Sequence, residues 1–98
     1  MKLYFDTSDS KNISVTLDGK KFQKKLERSQ ELLCLIDVAL RRTRKPLTDI
    51  TAIQFNRGPG SFTGLRVGAS VANALGWLLG KTVNGKDIKK TGPIEPIY

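Results

Sequence analysis

Histidine is absent from the 98 residues of this chain. Its absence removes the commonest general base and the commonest metal ligand at neutral pH. One cysteine, Cys34, excludes an internal disulfide and fits a reducing compartment. It falls in an apolar helical stretch, which reads as a buried structural thiol. No apolar run approaches the roughly 20 residues of a membrane span, and no secretory leader is legible. A cytoplasmic protein without membrane contact is the expectation. Acidic residues are scarce, 9 against 17 Lys and Arg, so the formal charge is +8 and an anionic partner is favoured, RNA or an acidic protein surface. Without His, a nucleophile would need Lys or a carboxylate as its base, and Asp6, Asp9 and Glu27 form no pair that spacing identifies. Neither catalysis nor a bound cofactor or metal is expected. A chain of this length holds one small domain with a modest core.

The polar and apolar residues that are present fall into a clear order. Leu3-Tyr4-Phe5 reads as a strand running into the polar turn Asp6-Thr7-Ser8. Ile13-Ser14-Val15-Thr16-Leu17 alternates at period two, the mark of a half-buried strand, and Asp18-Gly19 is a tight-turn signal. Residues 20–26 return as an edge strand whose lysines face water, completing a three-stranded antiparallel meander. Residues 29–44 then take a helical period, with Leu32, Leu33, Leu35, Ile36, Ala39 and Leu40 on a wide apolar arc. Cations suit a helix C-terminus, and here Arg41, Arg42, Arg44 and Lys45 precede the stop at Pro46. A strand over residues 51–55 should lie parallel to the first, because a helix separates them.

The densest local pattern follows: Gly58-Pro59-Gly60-Ser61-Phe62-Thr63-Gly64-Leu65-Arg66. A Gly-Pro-Gly turn delivers the chain into a second helix that reaches about Leu79, with Ser61 or Thr63 available as its cap. Gly64, Gly68, Ala72 and Gly76 recur every four residues, a ridge almost without side chains. Gly costs roughly 1 kcal/mol against Ala inside a helix, so the ridge implies close approach of another backbone. Arg66, Ser70, Asn73 and Trp77 form the one polar-leaning stripe, and the helix should be buried on most sides. Residues 81–98 are Lys- and Gly-rich at first and read as a basic linker and short tail behind a lobe of residues 1–80.

Two chemical readings of these turns stay open. The glycine turn could cradle a phosphate on helix amides, although it matches neither Gly-x-x-x-x-Gly-Lys-Ser/Thr nor Gly-x-Gly-x-x-Gly, and Pro59 removes a donor. Asp6, Thr7 and Ser8 could hold a metal-nucleotide complex through oxygen atoms, or form an Asx-type turn. The basic patches (residues 20–28, 41–45 and 81–90) could follow a phosphate backbone, but no interleaved aromatics support base stacking.

Asp6-Thr7-Ser8 after a first strand, then Arg28-Ser29-Gln30-Glu31-Leu32-Leu33, and above all Arg57 to Arg66 through the glycine turn, resemble the N-terminal lobe of the bacterial TsaB family. Members are non-catalytic partners of TsaD in making threonylcarbamoyladenosine on tRNA. The resemblance implies an α/β fold, one lobe of the actin-like, Hsp70-like (ASKHA, ribonuclease H-like) ATPase architecture. Its mixed sheet would combine an antiparallel three-stranded meander with helix-strand-helix. It also implies a heterodimer with TsaD, contact with the accessory ATPase TsaE, and a degenerate phosphate-loop position at Asp6, Thr7 and Ser8. The TsaD-facing surface would be Leu32, Leu33, Ile36, Leu40, Gly64, Leu65, Gly68, Ala72 and Gly76, with Gly58, Pro59, Gly60 and Ser61 as a structural turn. The same helices could pair two copies of the isolated chain, and the basic patch of Arg41, Arg42, Arg44 and Lys45 could contact tRNA. Arg28 replaces a His usual in the family, and there is no room for the family's second lobe. The ending Ile94-Glu95-Pro96-Ile97-Tyr98 is similar to the tail of full-length members, which implies a shortened form or a piece of one. The alternatives are a nucleotide-binding actin-like fragment and a small basic RNA-binding module.

Overall fold

The computed structural model describes residues 1–9, 11–25 and 31–97. Leu26, Arg28, Ser29, Gln30 and Tyr98, which figure in the expectations above, lie outside them. Three strands come first: β1 (Lys2–Asp6), β2 (Asn12–Leu17) and β3 (Lys20–Lys25). Asp18 and Gly19 both take positive φ, 53° and 80°, which closes β2 onto β3 in the turn their sequence predicts. Helix α1 (Glu31–Thr43) leads through a single turn of 3-10 helix to β4 (Ala52–Phe55), and α2 (Phe62–Leu79) follows. With a last strand β5 (Thr82–Val83), the sheet order is β3-β2-β1-β4-β5, with the meander antiparallel and β1, β4 and β5 parallel.

Period-two alternation sorts the strands into two faces. Leu3 pairs with Leu17 and Ile53, and Phe5 with Val15 and Phe55, so one face is continuously apolar. Tyr4, Asp6, Ser14, Thr16 and Gln54 fill the other face and are half-buried. Both helices cover the apolar face. Leu32, Leu35, Ile36 and Ala39, spaced i, i+3, i+4, i+7, join the core from α1; Ala69 and Ala72 join from α2. Cys34 is exposed, which corrects its reading as a buried thiol: it lies off that stripe.

The basic linker expected after Gly80 is instead part of the fold. Thr82–Val83 form β5 beside β4, with Val83 fully buried. The side chain of Asn84 extends this edge: its Oδ1 accepts from Phe55 N at 2.9 Å, and its Nδ2 donates to Phe55 O at 3.3 Å. A short helix, α3 (Ile88–Thr91), is capped by Asp87 and buries Ile88 against the core. Residues 93–97 then run back along α2. Among the described residues no helix is long and apolar enough to cross a membrane.

Candidate functional site

Two regions carry the residues singled out in the sequence. In the first, the turn after β1 meets the N-terminus of α2. Ser61 caps that helix, its hydroxyl accepting from Gly64 N at 3.2 Å. Ser61→Ala should therefore cost about 1 kcal/mol in a urea melt. Ser61 N donates to Ser8 O at 2.7 Å, and the buried Thr7 hydroxyl donates to Gly64 O at 2.6 Å. A Cβ on Gly60 would lie 2.5 Å from Ser8 O, one on Gly64 would run into Thr7 O, and one on Gly68 into Thr7 Oγ1. The ridge admits a neighbouring backbone at Gly64, and that backbone is the chain's own; at Gly68 and Gly76 the nearest atoms belong instead to the side chains of Thr7 and Val83.

This geometry also accounts for the polar turn. Asp6 Oδ1 accepts from Ser8 N at 2.9 Å and from Ser8 Oγ at 2.6 Å, while Asn56 Nδ2 donates to Ser8 Oγ at 3.3 Å. Ser8 N, Ser8 Oγ and Thr7 Oγ1, the donors a phosphate would call on, are all spent inside the chain. Asp6-Thr7-Ser8 is an Asx-type joint here, and Gly58, Pro59, Gly60 and Ser61 form the structural turn locked onto it.

Partial burial of Asp6 works to raise its pKa, but bonds from the Ser8 hydroxyl and amide, from Asn56, and the charge of Lys21 outweigh it, leaving the carboxyl below its ordinary value. Asp9 is also lowered, chiefly by the Lys11 amide. Both groups hold a proton less readily folded than unfolded. Their contribution to stability is full above about pH 5 and is lost progressively below it. Urea midpoints should thus fall as pH drops through the ordinary carboxylate value of 3.8. Asp6→Asn should flatten that slope.

The second region is the outward side of the helix pair. Leu33 (53% exposed) on α1 and Phe62 (56% exposed) on α2 flank a groove of about 530 Å³, floored by Val67 and Val71 and rimmed by Thr63, Arg66 and Ser70. The Arg66 guanidinium sits over the Phe62 ring, 5.5 Å from its centre. Trp77 and Leu78 are exposed further along α2, and Lys89 lies over the Trp77 ring at 5.3 Å.

Of the positions expected to face a partner, only Leu33 is exposed. Leu32, Ile36, Gly64, Leu65, Gly68, Ala72 and Gly76 are buried within the chain, and Leu40 packs against the core. They are corrected to core positions because a single sheet face, with the turn after β1 and β5, suffices to cover them. Nor is α2 buried on most sides: Phe62, Thr63, Arg66, Ser70, Ala74, Trp77 and Leu78 are exposed. Phe62, Val67 and Val71 were legible only as undifferentiated apolar positions, since the i, i+5, i+9 set that lines the groove emerges once α1 lies alongside. Arg41, Arg42, Arg44 and Lys45 are exposed at the end of α1, where Arg41 Nε pairs with Asp37 at 3.1 Å.

A five-stranded mixed sheet in the order 3-2-1-4-5, with both crossover helices on one face and an Asx-type joint where a phosphate loop would lie, defines one lobe of the actin-like ATPase fold. Solved structures agree. The chain is similar to YeaZ from Pseudomonas aeruginosa, with a TM-score of 0.69 and 29% identity, over 84% of this chain and 40% of that one. Residues 25–85 match the family model described as "TsaD: tRNA N6-adenosine threonylcarbamoyltransferase". The chain belongs to this family, as one of its TsaB-like members. It is 43% identical over 49 residues to the tRNA threonylcarbamoyladenosine biosynthesis protein TsaB of Escherichia coli K12, covering 50% of this chain and 21% of the relative. The Haemophilus influenzae TsaB is 45% identical over 47 residues, 48% and 20% of the two chains. A tRNA N6-adenosine threonylcarbamoyltransferase of Albidiferax ferrireducens is 45% identical over 56 residues, 57% and 16%. The aligned stretches span between 16% and 21% of these curated relatives.

Proposed function

We propose that this chain is a non-catalytic subunit of the machinery that makes threonylcarbamoyladenosine on tRNA, and that it pairs with a TsaD-type transferase through the outer faces of α1 and α2. The observation that carries this reading is the open apolar groove of Leu33, Phe62, Val67 and Val71. Buried glycines explain the inside of α2, while Phe62, Arg66, Ser70, Trp77 and Leu78 stay exposed on its outer side. Similarity to the TsaB and transferase relatives supports the pathway and the kind of partner. The absence of histidine from the sequence, with the Asp6 turn's donors already engaged, favours a scaffold over a transferase. Seating a second actin-like lobe on the groove would hold that partner in its competent arrangement. Co-expression with the transferase, size-exclusion chromatography and a tRNA modification assay test the proposal. A stable complex and restored modification are expected, and separate elution with no effect on modification would sink it.

A further inference from the structure

Residues 93–97 are held to α2 by contacts that read main chain rather than side chain. Asn73 Oδ1 accepts from Ile94 N at 2.9 Å, and Asn73 Nδ2 donates to Ile94 O at 2.9 Å, so one amide side chain completes both backbone groups of Ile94. At the far end Arg57 Nε donates to Glu95 O at 2.8 Å, and Ile97 N donates to Arg57 O at 2.6 Å. Between these anchors Ile94 is 8% exposed and joins the core, while Gly58 leaves no room for a Cβ beside Ile97 O. Only a cleft of about 300 Å³, walled by Arg66, Ser70 and Asn73, separates the segment from α2. Main-chain bonds supplying affinity and a pocket for one alternate side chain are how extended peptides are recognised in general. Asn84 uses the same bidentate device on Phe55, but there it finishes a sheet edge within the fold. Gly92, at φ 83°, joins the segment to α3.

We propose that the flank of α2 between Asn73 and the Arg57-Gly58 turn is a seat for an extended Pro-aliphatic-Xaa-Pro-aliphatic peptide. Residues 93–97 are its occupant in cis, exchangeable with the same segment of a second copy of this chain. Four directed bonds and one buried side chain make local release far less costly than unfolding. A vacated seat leaves an apolar hole and Asn73 Oδ1 without its donor, while Nδ2 keeps only its bond to Ala69 O at 2.8 Å; the same segment from another copy restores both contacts equally well. This inference does not rest on the helix groove.

The test uses the complete chain carrying Ile94→Glu, which expels its own segment, titrated with a fluorescent hexapeptide of residues 92–97. Saturable binding is expected, at least tenfold tighter than to the unaltered chain, whose own segment competes, and at least tenfold weaker once Asn73→Ala is added. A folded Ile94→Glu chain that ignores the peptide, or binds it equally without Asn73, overturns the proposal. Should Ile94→Glu fail to fold, amide exchange on the unaltered chain decides. Ile94 and Ile97 exchanging well ahead of Leu65 and Val83 supports a seat that opens. Exchange of all four only with global unfolding overturns it.

Discussion

Gly64→Ala is expected to destabilise the chain by about 3 kcal/mol, although Ala is the better helix former by about 1 kcal/mol. The new methyl would meet the carbonyl oxygen of Thr7, which is backbone and cannot rotate away. Moving it means displacing either β1 or the start of α2, and the Thr7–Gly64 bond and the Ser8–Ser61 bond with them. For a domain this small the loss corresponds to roughly 15 °C in melting temperature. Gly68→Ala differs in kind, because its methyl would meet a side-chain oxygen, Thr7 Oγ1. Adding Thr7→Ala should recover about 1 kcal/mol of the Gly68→Ala defect and none of the Gly64→Ala defect. Circular dichroism melts of the three single variants, the two double variants and their parent measure both cycles. Equal rescue at the two glycines would mean that the ridge meets something other than this turn.

Leu33→Glu has the opposite profile. Leu33 is more than half exposed, so the folded chain should tolerate the change within about 0.5 kcal/mol. A charge set in the centre of a desolvated interface costs about 2 kcal/mol or more, so pairing with the transferase should weaken at least 30-fold. Any self-association of the isolated chain through the same groove should vanish with it. Arg66→Ala would be milder, since it removes a rim cation stacked on Phe62 and leaves the apolar floor intact. Titration calorimetry with the purified transferase reads the effect directly. Full affinity in the charged variant would move the interface off the helix pair.

How far the sequence announces this structure varies with how local the cause is. The meander was legible because Ile13, Val15 and Leu17 alternate strictly and Asp18-Gly19 fits one turn geometry. A cap at Ser61 or Thr63 was legible for an equally local reason, and the structure uses Ser61. β5 was not, because two residues cannot display a period and their Lys and Gly flanks look like a loop. The glycine ridge announced a close approach without naming what approaches, since a notch carries no information about the surface that fills it. Thr7 fills it from 57 residues away in sequence. In the sequence Asn73 is one member of the polar-leaning stripe of α2; its pairing with Ile94 exists only after the chain has turned back.

Cys34, the single sulfhydryl, stands exposed on α1 one residue beyond Leu33 at the groove. A maleimide dye would therefore attach at one known point, on the helix through which the proposed pairing would run and away from the packed interior. Its quenching or anisotropy would report docking in real time, with no tag on either protein and no engineered residue needed to place it.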